Sequence, residues 1–245
     1  MSRIRLYLSN DTSSCAAGTE RLVEAWRKRS DVELVRTSSR GAFFLEPMVE
    51  RESPEGRLAW CRVTADDLPK ILAGEGGIPV SAIPFLSMQT RHTFATFGVT
   101  EPLSVEAYQA QGGLAGLRAA QAMSPPAIIL ELKASRLRGR GGAAFPVWKK
   151  WDVAATEEAD RKYVVANADE GDAGTYCDRM IMEGDPFRLI EGMLICARAI
   201  GAGAGYIYCR QEYPAARATV QAAIRAAGEA GWLESGGKPF VIEVV

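Results

Sequence analysis

The periodicity of apolar and polar positions predicts an α/β chain with two differently built halves. Ile4 to Leu8 alternates as Ile-Arg-Leu-Tyr-Leu, the period of a half-buried strand. Ser13 and Ser14 stand where they can cap a helix from Ala16 to Lys28, with Leu22, Val23 and Trp26 on one face. Val32 to Val35 and Leu58 to Val63 read as two further strands, and Asp66 to Leu72 as a short amphipathic helix. Residues 1–75 therefore predict a small α/β domain of thioredoxin-like size. The run Gly74-Glu75-Gly76-Gly77-Ile78-Pro79 is the densest punctuation in the chain and is the expected boundary.

Residues 76–132 predict a linker arm followed by helices. Pro79 to Gly98 has little periodicity and reads as an extended arm. Ser104 can cap a helix through Ala110, Gly112-Gly113 interrupts it, and a second helix runs from Leu114 to Met123. Ser124-Pro125-Pro126 opens a third that ends near Ser135, with proline where its missing N–H does no harm. Beyond the glycine-rich stretch that follows, the pattern turns regular. Tyr163–Ala166 is a strand, and Asp185-Pro186 opens a helix with Phe187, Ile190, Met193, Leu194 and Ala197 inward. Tyr206–Cys209 is a strand, Tyr213–Glu229 a helix and Phe240–Val245 a strand. Strands alternating with helices predict a mainly parallel sheet with right-handed crossovers. The last strand is flush with the end of the sequence, so this α/β domain, residues 133–245, is expected to be incomplete at its C-terminus.

Composition narrows the function classes. With 47% hydrophobic and 24% charged residues the chain can build a core. A formal net charge of −1 gives no support to general affinity for nucleic acid or anionic membrane. No run of about 18 apolar residues predicts a membrane span. The start, Met1-Ser2-Arg3-Ile4, has no signal-like apolar core, so the expected location is cytoplasmic. The five cysteines (Cys15, Cys61, Cys177, Cys196, Cys209) include no C-x-x-C pair, which predicts no disulfide scaffold and no metal site. An independent thioredoxin-like redox protein is disfavoured for the same reason. His92, the single histidine, reads as structural.

The candidate chemistry lies between Ser135 and Met193. Gly139, Gly141 and Gly142 fall within four positions of Arg138-Gly-Arg-Gly-Gly-Ala-Ala-Phe-Pro146, where the backbone can take positive φ and approach a ligand closely. Successive amides in such a turn favour phosphate. From Lys133 to Trp151 there are six basic residues, Arg140 and Lys150 among them, and no acid. Gly139-x-Gly141-x-x-Ala144 nominally matches a dinucleotide fingerprint, yet a helix precedes it where that fingerprint needs a strand. An ordinary Rossmann first turn is excluded, while phosphate binding in another setting is not. The strand Tyr163–Ala166 then ends in Asn167-Ala168-Asp169-Glu170, delivering polar groups at the end of a strand where α/β sheets place their ligands.

These stretches, with Gly174-Thr175-Tyr176, resemble the NADH-binding FMN flavoprotein subunit of respiratory complex I and its relatives. The diaphorase subunits of NAD-reducing hydrogenases and NAD-dependent formate dehydrogenases are among those relatives. Gln89-Thr90-Arg91, Glu101-Pro102, Gly112-Gly113, Asp178-Arg179, Glu191-Gly192-Met193 and Gly205-Tyr206 extend the resemblance over about residues 80–245. The wording Gly171-Asp-Ala-Gly-Thr-Tyr-Cys177 is most similar to the formate dehydrogenase branch. The resemblance implies a Rossmann-like FMN-binding domain that passes hydride between NAD(H) and FMN. It implies Gly139, Arg140, Gly141 and Gly142 around the FMN phosphate. Lys150, Asn167, Asp169 and Glu170 would then lie on FMN or its ribityl chain, Phe145 stacked on the nicotinamide nucleotide and Asp172 near it. No residue is named as a catalytic acid or base, since hydride transfer needs none.

The family also carries a Gly-Glu-Glu segment and a cysteine-rich part holding a [4Fe–4S] cluster, which the resemblance places beyond Val245. Thr37 to Pro47 resembles a cysteine loop of a thioredoxin-like [2Fe–2S] domain, with Ser39 and Phe43 where cysteines are expected. The N-terminal domain is therefore expected to lack that cluster. The implied partners are other subunits of an oxidoreductase complex, an iron–sulfur thioredoxin-like subunit and a catalytic subunit. The alternative is a truncated or degenerate docking subunit of the same kind of complex.

Overall fold

The computed structural model describes residues 3–172, 174–235 and 237–245. Met1 and Ser2 of the N-terminal reading, and Ala173 of the 171–177 motif, lie outside the described residues. The fold is mixed α/β with parallel pairing in both main sheets, and the chain separates into two compact units.

The first unit runs to Ala107 and includes Met180–Asp185. Strand β1 (Ile4–Ser9) lies parallel to β2 (Val32–Thr37) through α1 (Thr12–Ala17) and α2 (Thr19–Trp26). The single helix expected from Ala16 to Lys28 is therefore two. Gly18 takes φ +113, which ends α1 and restarts the chain as α2. Its cap is also different: Asp11 Oδ1 accepts the amides of Ser13 at 3.0 Å and Ser14 at 3.2 Å.

β3 (Val49–Ser53) and β4 (Gly56–Trp60) form an antiparallel hairpin, and with β5 (Ile78–Pro79) the sheet order is β2-β1-β3-β4-β5. The strand expected at Leu58–Val63 thus begins and ends earlier, because its register is set by the turn at Pro54-Glu55. Leu6, Leu8, Leu22, Trp26, Val49 and Ile71, the last from α3 (Leu68–Ala73), fill the core.

The chain does not divide at residue 75. Ile78–Pro79 pairs with β4 as β5, and Ile83 and Leu86 bury with Met48 and Ala59. The stretch expected as an extended arm contributes this packing and a short helix, α4 (Pro84–Ser87). Burying apolar side chains on an existing core overrides the glycine-rich punctuation.

The second unit comprises Tyr108–Arg179 and Pro186–Val245. After α5 (Val105–Ala110) come α6 (Ala115–Gln121), α7 (Pro125–Ser135) and α8 (Val147–Thr156). Ser104 Oγ accepts the Ala107 amide at 3.1 Å, as its cap position predicts. Three strands follow, β6 (Tyr163–Ala168), β7 (Ala204–Cys209) and β10 (Val241–Val244), with the small pair β8 (Glu234–Ser235) and β9 (Lys238–Pro239) before the last. β6, β7 and β10 are parallel throughout, in the order β10-β7-β6. Helices α9 (Cys177–Gly184), α10 (Pro186–Ile200) and α11 (Pro214–Glu229) complete the chain.

Phe187, Ile190, Met193, Leu194 and Ala197 of α10 are all buried, together with Val164, Ile207 and Ile242 from one face of the sheet. The approach is close enough to need glycine at 205, where a Cβ would stand 2.7 Å from Met193 Cε. The other face carries exposed Tyr163, Val165, Tyr208 and Val241. Among the described residues no helix is long and apolar enough to cross a membrane.

Candidate functional site

The glycine loop is a pinched lariat. α7 ends where Arg136 turns left-handed at φ +57, and the chain then forms an isolated antiparallel bridge between Arg138 and Pro146. Three bonds tie its neck: Gly139 amide to Phe145 oxygen at 2.8 Å, Val147 amide to Leu137 oxygen at 3.1 Å, and Arg138 Nη1 to Ala144 oxygen at 3.1 Å. Arg140, Gly141, Gly142 and Ala143 project from this neck and are exposed. Gly142 takes φ +96, and no atom lies within 4 Å of where a Cβ would sit on Gly141 or Gly142. The space over the loop is open to a ligand rather than filled by protein.

α8 begins directly after the loop. Pro146 is its N-cap and supplies no side-chain bond, so the first amides of a ten-residue helix lack a capping side chain. Such an end carries partial positive charge. Lys150 Nζ sits 5.8 Å from the centre of the half-exposed Phe145 ring, and Lys133 Nζ lies 4.8 Å from that of Trp148. Among the described residues, no ion pair involves Lys133, Arg136, Arg138, Arg140, Lys149 or Lys150. Phosphate therefore fits this loop on three counts: open glycines, an uncapped helix end and cations without acidic partners.

The strand end is built differently. Asn167 is exposed, and its Oδ1 accepts the Asp169 amide at 3.2 Å. Asp169 borders a cavity of about 700 Å³ at the C-terminal ends of β6, β7 and β10, with Tyr208, Arg210, Arg217, Gln221 and Val245 around it. Asp172 is exposed and closes a turn, its Oδ1 accepting the Gly174 amide at 3.0 Å.

Glu170, expected to lie on FMN or its ribityl chain, also uses its carboxylate within the protein. Its residue is left-handed at φ +45, and both carboxylate oxygens are engaged within the protein. Oε1 accepts the Asp178 amide at 2.8 Å, while Oε2 accepts the Arg179 amide at 3.2 Å and the Tyr213 hydroxyl at 3.0 Å. Arg210 Nη1 donates to the Glu170 carbonyl at 2.8 Å. The carboxylate thus closes the start of α9 and holds the strand end to the turn before α11. Burial, and after it the Glu170 charge, raises the Asp178 carboxyl. Burial and the bond to Glu170 likewise push the Tyr213 hydroxyl up.

The structure brings Phe145 and Lys150 together, and Glu170 with Arg210 and Tyr213. Among the described residues, no hydrogen bond or ion pair joins Gly139, Arg140, Gly141 or Gly142 to Asn167, Asp169, Glu170 or Asp172. Arg210 and Tyr213 were not legible as part of this region. They lie some forty residues from Glu170, and no local spacing signals their bonds to it.

Comparison with known proteins bears on residues 132–245, which match the family model described as the Nuo51 FMN-binding domain. The chain is 43% identical over 145 residues to the HndC subunit of the NADP-reducing hydrogenase of Solidesulfovibrio fructosivorans, covering 59% of this chain and 29% of that one. It is 48% identical over 130 residues to a component of the NADH-quinone oxidoreductase of Rhizobium meliloti, covering 53% and 31%. It also aligns along its whole length with 42% of a chain of an NAD+-reducing [NiFe]-hydrogenase in the air-oxidized state, at 25% identity and a TM-score of 0.49. The chain spans less than a third of the length of these two curated relatives. Residues 132–245 thus resemble the Nuo51 FMN-binding domain.

Proposed function

We propose that residues 132–245 bind FMN and take part in passing hydride between NAD(H) and that flavin, in the electron-entry subunit of a multisubunit oxidoreductase. The observation that carries this is the exposed glycine lariat leading into the uncapped start of α8, within a segment that matches an FMN-binding domain. Bound FMN supplies the electron acceptor for hydride, so the protein's work is binding, orientation and electrostatics. The amides of Gly141 and Gly142, with Arg140, hold the phosphate. Lys150 adds positive charge beside the flavin. Asn167 and Asp169 hold ribityl hydroxyls from the strand end. Phe145, exposed and rigidly placed by the neck of the lariat, offers its ring face to the nicotinamide nucleotide, and Asp172 stands at the edge of that site. Glu170 acts by holding the Asn167–Asp169 strand end in place.

In its finer form the reading is of a diaphorase subunit of a soluble, cytoplasmic NAD-dependent formate dehydrogenase. The wording of residues 171–177 is what favours that branch. Its partners are then an iron–sulfur thioredoxin-like subunit and a catalytic subunit. A second reading, a docking subunit without bound flavin, draws on the lack of any bond between the glycine loop and the strand end among the described residues.

Titration of the chain with FMN, followed by flavin fluorescence quenching, separates the two. Saturable binding that is lost in Gly141→Asp supports the flavin site, since nothing lies within 4 Å of that position to disturb the fold. Binding unaltered by Gly141→Asp removes the loop from the site. No binding at all favours the docking reading.

A further inference from the structure

The first unit contains a cluster of arginines that the flavin chemistry does not use. Arg40, Arg57 and Arg91 line one cavity of about 450 Å³, with Ser81 and Ser87 at its wall. Among the described residues one buried acid serves them. Glu50, which is 4% exposed, is gripped by Arg40 through both carboxylate oxygens, and its Oε2 also meets Arg57 Nη1 at 3.3 Å.

Carbonyls and a ring absorb part of the remaining charge. Arg57 donates to the Gly98 carbonyl and lies 3.5 Å above the centre of the Tyr7 ring. Arg40 Nη1 reaches the Phe97 carbonyl at 3.4 Å. The backbone at Gly98 is shaped to admit this. It takes φ +77, and a Cβ there would stand 2.5 Å from Arg40 Cγ.

Arg91 is the cation without an acid among the described residues. Its Nη2 donates to the Arg40 carbonyl at 2.7 Å and its Nε to Gln89 Oε1 at 3.1 Å. Burial and the Arg40 charge both lower its affinity for its own proton. Glu55, the acid that itself lines the cavity, is exposed on the β3–β4 turn. Three guanidinium groups around one space, answered by one buried carboxylate, leave an uncompensated positive field in a partly desolvated site. That arrangement costs free energy unless an anion completes it.

We propose that this cavity is a binding site for a tetrahedral oxyanion, a phosphate or the phosphoryl group of a small ester, held by Arg91 with Arg40 and Arg57. Guanidinium forks match phosphate oxygens in bidentate fashion. Donors approaching from a strand, two loops and the Ser81 hydroxyl suit a tetrahedral group better than a flat carboxylate. The cavity is roomier than a bare ion needs, which leaves space for the organic part of an ester.

The test is calorimetric titration of the whole chain, at constant ionic strength, with inorganic phosphate, glycerol 3-phosphate and acetate in separate arms. Saturable binding of phosphate or glycerol 3-phosphate, weakened about tenfold or more in Arg91→Gln, supports the proposal. Tighter binding of the ester than of phosphate identifies an esterified ligand, and equal binding identifies the free ion. Acetate binding as tightly as phosphate overturns the tetrahedral assignment. Arg140→Gln distinguishes this site from the glycine lariat of the second unit, and phosphate binding here is expected to survive that change. Binding that is unaltered in Arg91→Gln, or lost in Arg140→Gln alone, overturns the proposal. Should Arg91→Gln fail to fold, the side-chain Nε–H resonances of Arg40, Arg57 and Arg91 in the unaltered protein decide. They shift together on adding phosphate if the site is real, and unmoved resonances overturn it.

Discussion

The Tyr213 hydroxyl donates to Glu170 Oε2 at 3.0 Å, joining residues 43 positions apart and tying the turn before α11 to the end of β6. The same carboxylate caps the first amides of α9. One acidic side chain therefore sets the geometry of the strand end where the proposed flavin contacts Asn167 and Asp169 are found.

Tyr213→Phe removes one partly buried hydrogen bond and is expected to cost about 1 kcal/mol of stability. Glu170→Gln leaves a single oxygen for two amides and a hydroxyl and is expected to cost about 2 kcal/mol. Urea denaturation of both variants measures this. Unchanged midpoints in both would mean that the clasp carries no stability.

Gly141 and Gly142 are expected to differ. Gly142 stands at φ +96, where a side chain is strained, so Gly142→Ala is expected to lose about 1 kcal/mol. Gly141 meets no neighbouring atom within 4 Å, and Gly141→Ala is expected to leave stability within about 0.5 kcal/mol of the parent. Thermal melts test the difference, and equal losses in the two variants would contradict the loop geometry.

Stability is expected to respond to the titration of Glu46. Burial raises this carboxyl from its ordinary 4.5 to about 7, with the Asp11 charge adding to the rise and the bond from the Met48 amide opposing it. Between those values the folded chain keeps a proton that the unfolded chain has released. Stability therefore falls as pH rises from about 4.5 to about 7, by up to about 3 kcal/mol. Glu46→Gln stays neutral and is expected to flatten that part of the profile and to be the more stable form at pH 8. Parallel pH–stability curves for the two proteins would exclude Glu46 as the source.

Glu191, buried in α10, accepts the Tyr108 hydroxyl and the amides of Leu114 and Leu117, each amide at 2.9 Å. It closes the uncapped start of α6, whose N-cap Leu114 is left-handed at φ +66. Glu191→Gln presents an amide nitrogen to one of these donors and is expected to cost about 2 kcal/mol or more by chemical denaturation. A stable Glu191→Gln protein would show that the helix start needs no carboxylate.

Much of the second unit was legible along the chain. The inward face of α10, the parallel strands and the cap at Ser104 follow from period and cap chemistry, which act within a few residues. β3 was not legible, because Val49-Glu50-Arg51-Glu52-Ser53 is mostly charged and Glu50 is buried only through arginines 10 and 7 positions away. α8 and α9 were missed as well. The first follows directly from the bridge neck of the glycine lariat, and the second is capped by Glu170, eight residues upstream of Asp178.

The sequence by itself determined the α/β class, the parallel order of the second half, and the exposed glycine loop with its basic surround. Each depends on local backbone freedom, local charge or a repeating period. Tertiary structure alone decided that the first unit extends to Ala107, since β5, Ile83 and Leu86 find their partners in strands and core residues distant along the chain. It alone decided that the Glu170 carboxylate bonds the Asp178 amide and the Tyr213 hydroxyl and that three arginines share one cavity. Those outcomes depend on which distant side chains folding brings within bonding reach, and no local pattern carries that information.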